Sequence, residues 1–106
     1  MSTVLITCAD EFNNALKENA KVVIQFHATW CGPCKVISPK FEAFSLEYPE
    51  IKFLKIDVDD VADVSEKCGI RAMPTFQTYI NGEKKGEVLG ANPTNLKKLI
   101  DELAAL

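Results

Sequence analysis

Apolar positions recur along this chain with two periods, and the switches between them divide it into strands and helices. Val22-Val23-Ile24-Gln25-Phe26-His27-Ala28 is a nearly continuous apolar run of strand length, the pattern of a strand covered on both faces. Ile51 to Val58 reads the same way, and Thr3 to Thr7 is a shorter first strand. Asp10 is read as the N-cap of a helix through about Glu18, with Phe12, Ala15 and Leu16 on its buried face, and Asn19-Ala20 turns into the central strand. A longer helix is predicted from about Cys34 to Tyr48, burying Val36, Ile37, Phe41, Phe44 and Leu46. Pro39 should kink it by removing a hydrogen bond, and Pro49 ends it. Val61 to Cys68 is a short helix closed by Gly69. Thr75 to Ile80 and Glu87 to Leu89 read as a hairpin about Asn81-Gly82, a pair that supplies the positive φ values of a tight turn. The last helix runs from Pro93 or Thr94 to about Ala104, with Leu96, Leu99, Ile100 and Leu103 at helical spacing. Strands alternating with helices at this spacing predict one α/β domain over residues 1–106, with no repeat, linker or low-complexity segment.

Composition narrows the function classes. A chain of 106 residues buries roughly 60 to 70% of its unfolded surface without metal or disulfide staples. No stretch approaches the ~20 apolar residues of a membrane span. Met1-Ser2-Thr3-Val4 shows neither a basic region nor a long apolar core, so no secretory signal is visible and a cytoplasmic address is expected. A net charge of −3 and the lack of a Lys/Arg block argue against nucleic acid. Four cysteines, Cys8, Cys31, Cys34 and Cys68, are few for a secreted disulfide scaffold. In a reducing compartment a close pair points instead to catalysis or metal binding.

The close pair is Cys31 and Cys34, within Trp30-Cys31-Gly32-Pro33-Cys34, where the buried strand gives way to the long helix. Residues i and i+3 share a helix face, so the two sulfurs can meet across one turn. The helix N-terminus, with unpaired N–H groups and a positive dipole end, favours a thiolate, the form that attacks disulfides. Cys31 is therefore the expected nucleophile, and Cys34, a turn deeper, attacks the mixed disulfide and expels the reduced substrate. Half of a zinc site is the competing reading, but Cys8, Cys68 and His27 offer no second paired spacing. Pro33 fits a first helical turn, where its missing N–H costs nothing. Trp30 is read as a flat apolar docking surface beside an exposed thiol rather than as core. Cys8, just past the first strand, is expected to be a small structural or surface residue, and Cys68 a small buried hydrophobe in preference to a regulatory thiol.

The blocks Phe26-His27-Ala28-Thr29-Trp30-Cys31-Gly32-Pro33-Cys34-Lys35, Ile56-Asp57-Val58-Asp59, Gly69-Ile70-Arg71-Ala72-Met73-Pro74-Thr75-Phe76, Asn81-Gly82 and Gly90-Ala91 together resemble the thioredoxin family over nearly the whole chain. The resemblance implies a central five-stranded mixed sheet flanked by four helices. It also implies a protein disulfide reductase that binds no cofactor, cycles Cys31 and Cys34 between dithiol and disulfide, and draws electrons from NADPH only through a thioredoxin reductase. Peroxiredoxins, methionine sulfoxide reductases and ribonucleotide reductase are the implied acceptors, and a monomer the implied state. Gly32 and Pro33 would tune the potential toward reduction, whereas oxidants and isomerases commonly carry His at the second intervening position. Met73-Pro74, otherwise a mere strand entrance, would be cis and lie against the active sulfur, offering backbone to an extended substrate. Gly90-Ala91 is either a strand end or the third edge of that docking surface.

Two residues depart from the family. Most members carry a buried Asp where this chain has Gln25, which cannot titrate, so release of the Cys34 proton would fall to water, Lys55 or Cys31 itself. His27 stands where aromatic residues are usual, on the same sheet face as Gln25. It reads as a satisfied core histidine, or as a partial substitute for the acid held by Asp57 or Asp59. A binding module that holds a partner when reduced and releases it on oxidation would use the same residues without turnover.

Overall fold

The computed structural model describes residues 3–106. Five strands form one sheet in the order β1-β3-β2-β4-β5: β1 (Thr3–Ile6), β2 (Lys21–His27), β3 (Lys52–Asp57), β4 (Thr75–Ile80) and β5 (Glu83–Leu89). β3 lies parallel to both β1 and β2, whereas β4 runs antiparallel to β2 and β5, so the sheet is mixed as the family resemblance implies. Four helices complete the order along the chain: α1 (Ala9–Glu18), α2 (Gly32–Glu47), α3 (Ala62–Lys67) and α4 (Pro93–Ala104).

Side-chain alternation along the central strand divides the core in two. Val22, Ile24 and Phe26 point to the face covered by α1 and α3, where they join Phe12, Val61 and Val64. Val23 points to the other face with Phe53 and Phe76, under Ile37, Phe41 and Phe44 of α2 and Leu96, Leu99, Ile100 and Leu103 of α4. The dipeptide Asn81-Gly82 has φ of 49° and 84°, the two positive values that a two-residue hairpin turn requires.

Several predicted details shift. β1 stops at Ile6, and β3 is one residue shorter at each end than Ile51 to Val58. Asp10 is not the N-cap of α1; that place falls to Cys8, because the Thr7 backbone N–H and hydroxyl both donate to Glu11 Oε1 at 2.7 Å and tie the entry turn earlier. α2 begins two residues before Cys34 and runs unbroken across Pro39. Val36 and Leu46, expected in the core, are 77% and 72% exposed. At 100° per residue they fall outside the arc shared by Ile37, Phe41 and Phe44, and Ser45 lies buried instead. β5 begins at Glu83, four residues before the predicted start, because an edge strand takes its ladder hydrogen bonds even where Glu83-Lys84-Lys85 shows no apolar alternation.

Candidate functional site

The site forms where β2 ends and α2 begins. After His27 the chain turns through Ala28, Thr29 and Trp30, closed by Cys31 N–H donating to Ala28 O at 3.1 Å. Cys31 then occupies the N-cap of α2, with Pro33 in the first turn. Its Sγ accepts from the Cys34 backbone N–H at 3.1 Å, so one of the helix's unpaired donors is directed at this sulfur. Cys31 and Cys34 are joined as a disulfide, with Cα atoms 5.3 Å apart. The pairing that the spacing suggested is thus formed. The expected exposed thiol is not: Cys31 is only 4% exposed, because the residue packs with Cys34 and Ala28 beneath Val58 and Met73.

Distant segments complete the surface. Trp30 is exposed, as expected of a docking ring, and its Nε1 donates to Asp59 Oδ2 at 3.0 Å. The Met73-Pro74 bond is cis, and Met73 packs against the two cysteines from β4's entrance. Gly90 N–H donates to Pro74 O at 2.9 Å, which brings Gly90 and Ala91 alongside. Gly90 has φ +93°, so the backbone demands glycine there although open space surrounds it. Ala91 is partly buried, packed against the α2/α4 core with part of its surface still open.

Behind Cys34, Gln25 is fully buried and its Nε2 donates to Ser38 Oγ at 3.0 Å, while Ser38 Oγ donates to Cys34 O at 2.8 Å. Sequence reasoning misses Ser38. Its signal is the i+4 spacing from Cys34, at which a helical serine bonds back to the preceding turn. Lys55 pairs in register with Gln25 and lies 4.0 Å from Glu42 Oε1. His27 is half-buried but not satisfied, since its buried Nε2 has no hydrogen-bond partner. Neither predicted acid holds it: Asp57 Oδ1 accepts from Asp59 N–H, and Asp59 turns to Trp30. Burial first, then the Lys55 charge, lowers the His27 pKa, against opposing pulls from Asp57 and Asp60. Among the described residues no group of three or more His, Cys, Asp or Glu side chains converges to hold a metal, and no helix is long and apolar enough to cross a membrane.

The other two cysteines lie apart. Cys8 is exposed, and Cys68, expected to be buried, is intermediate at the end of α3, where Tyr79 Oη donates to its Sγ at 3.6 Å. Burial pushes the Cys68 thiol up, with the Tyr79 hydrogen bond acting in the opposite direction. With Cys31 and Cys34 oxidised, iodoacetamide at pH 8 should therefore alkylate Cys8 at least tenfold faster than Cys68, as read by peptide mapping. Equal rates would show that Cys68 is accessible and ionised.

Comparison with known proteins agrees with this geometry. The thioredoxin family model matches residues 3–102. The chain is 50% identical over 103 residues to the thioredoxin of Coprinus comatus, covering 95% of this chain and 97% of that one. It superposes on oxidised mitochondrial thioredoxin 3 of Saccharomyces cerevisiae with a TM-score of 0.92 at 44% identity, covering 96% of each chain. A yeast structure addressing thiol resolution in a mitochondrial 1-Cys peroxiredoxin through the glutathione and thioredoxin systems matches with a TM-score of 0.91 at 43% identity, again over 96% of each.

Proposed function

This chain belongs to the thioredoxin family and is a thiol–disulfide oxidoreductase that reduces protein disulfides; we propose that an NADPH-dependent thioredoxin reductase supplies its electrons. The observation that carries the reading is the Cys31–Cys34 disulfide at the N-terminus of α2, with a helix N–H already directed at Cys31 Sγ. In the dithiol state Cys31 attacks one sulfur of a target disulfide, forming a mixed disulfide and releasing the other sulfur as a thiolate. Cys34 then bonds to Cys31 Sγ, the bond to the substrate breaks, and the target leaves fully reduced. The reductase returns two electrons to the new disulfide, and NADPH touches this chain only through that enzyme.

Trp30, Met73, Pro74, Gly90 and Ala91 form the proposed docking surface. Trp30 offers a flat ring, and the Met73-Pro74 backbone offers hydrogen bonds to an extended strand of the target. Gly32 and Pro33 set the potential on the reducing side. Peroxiredoxins, methionine sulfoxide reductases and ribonucleotide reductase are the target classes we propose, the first supported by the similarity to the yeast structure that concerns a peroxiredoxin. A monomer in the cytoplasm is the setting that suits a dithiol donor.

The coupled assay tests the electron route. With thioredoxin reductase and insulin present, this chain should support continuous NADPH oxidation at many turnovers per molecule. Turnover with dithiothreitol but none with the reductase would overturn the NADPH route while leaving the disulfide reductase activity in place.

A further inference from the structure

An open cleft of about 430 Å³ lies behind Cys34, between α2 and the sheet, with His27, Ser38, Glu42 and Lys55 among its walls. The Ser38 hydroxyl has one proton and directs it to Cys34 O, so toward Gln25 it can only accept. The Gln25 amide nitrogen must therefore face Ser38, and Oε1 is left buried with no partner. His27 Nε2 is the second buried side-chain polar atom without a partner among the described residues. Both belong to alternate residues of one strand, on one face: His27 lines the cleft together with Cys34, and Gln25 reaches the Cys34 carbonyl through Ser38. Folding disfavours such atoms, so each calls for an explanation, and a catalytic role is one.

We infer that His27 takes the proton of Cys34 in the resolving step, a role that the amide of Gln25 cannot fill because it does not titrate. The inference rests on the proposed Cys31/Cys34 cycle. The Cys34 S–H bond breaks and its proton passes to His27 Nε2; the thiolate bonds to Cys31 Sγ as the bond from Cys31 to the substrate sulfur breaks. The substrate leaves as a thiolate, which recovers a proton from the imidazolium or from water. The dithiol is oxidised by two electrons and the substrate disulfide reduced by two. The charges that act on the ring are Lys55 and Asp57 from β3 and Asp60 just beyond it, while Lys35 and Glu42 of α2 line the same cleft. Burial, then the Lys55 charge, lowers the ring's pKa against the pulls of Asp57 and Asp60, which favours the neutral form that can accept.

The resolving step can be watched with 5,5′-dithiobis(2-nitrobenzoate). In a Cys8→Ser background, which removes the exposed competing thiol, the reduced chain should release nitrothiobenzoate in two phases, Cys31 attack and then Cys34 resolution. The second phase should slow as pH falls below 6.5, because protonated His27 no longer accepts. His27→Gln should slow the second phase about a hundredfold at pH 7 and remove that inflection, while leaving the first phase within about twofold. Adding Gln25→Asp to His27→Gln should restore much of the rate by returning a titratable acceptor behind Cys34. A second phase of unchanged rate and pH profile in His27→Gln overturns the inference. If His27→Gln slows both phases equally and Gln25→Asp does not rescue it, the effect is structural and the inference is again overturned. Absence of both phases in the parent chain would instead overturn the Cys31/Cys34 cycle itself.

Discussion

Cys31→Ser is expected to abolish multiple-turnover reduction of a protein disulfide, lowering the rate by about a thousandfold or more with dithiothreitol as electron source. The size follows from the nucleophile. A serine hydroxyl is essentially un-ionised at neutral pH, whereas a cysteine at a helix N-terminus presents a thiolate to the sulfur it attacks. The residue occupies the N-cap of α2 and receives the Cys34 N–H, so serine should keep the fold and the cap while losing the chemistry. Cys34→Ser should behave differently. It leaves the attack intact and removes the resolving thiol, so a covalent complex between Cys31 and the target should accumulate and disappear on adding excess dithiothreitol. Non-reducing electrophoresis reads the complex and an insulin turbidity assay reads the turnover. Turnover in Cys31→Ser would remove this residue from the reaction. A parent chain that binds targets but fails to turn over, with its fold intact, would favour a redox-switched binding module.

Phe41→Ala should have the largest effect on stability. Phe41 is fully buried on α2, with its ring centroid 5.1 Å from that of Phe53 and 5.6 Å from that of Phe76. Removing such a ring typically costs about 3–5 kcal/mol, through lost transfer energy and the cavity left behind. For a domain of this size that corresponds to a Tm lower by on the order of 15 °C, measurable by thermal denaturation followed by circular dichroism. The consequence reaches the site because Phe41 anchors the helix that carries Cys34 and Ser38. A shift under about 3 °C would show that the second core cluster does not depend on this ring.

Local chemistry makes much of the molecule legible from residue order alone. The Cys31 and Cys34 spacing sits at a strand-to-helix junction, and one helical turn suffices to join the sulfurs. Asn81-Gly82 marks its hairpin because few residues tolerate positive φ. α4 reveals its buried face because Leu96, Leu99, Ile100 and Leu103 alternate cleanly with polar residues. α2 does not, since apolar side chains surround much of it and several phases fit equally well. Periodicity therefore assigns Val36 and Leu46 to a core that the tertiary packing gives to Ile37, Phe41 and Phe44.

What the sequence by itself determined is the reacting pair, the alternation of strands and helices, and the turns, all set by residues within a few positions of one another. Only the tertiary structure decided much of what surrounds the pair: Asp59 bonded to Trp30 Nε1, Lys55 beside Glu42, Ser38 bridging Gln25 Nε2 to Cys34 O, and Gln25 Oε1 and His27 Nε2 left unpaired. The reason is physical. Periodicity and turn preference act along the chain, whereas a side chain's partners are chosen by the register of strands and helices far apart in sequence, and one rotation of α2 would change most of them.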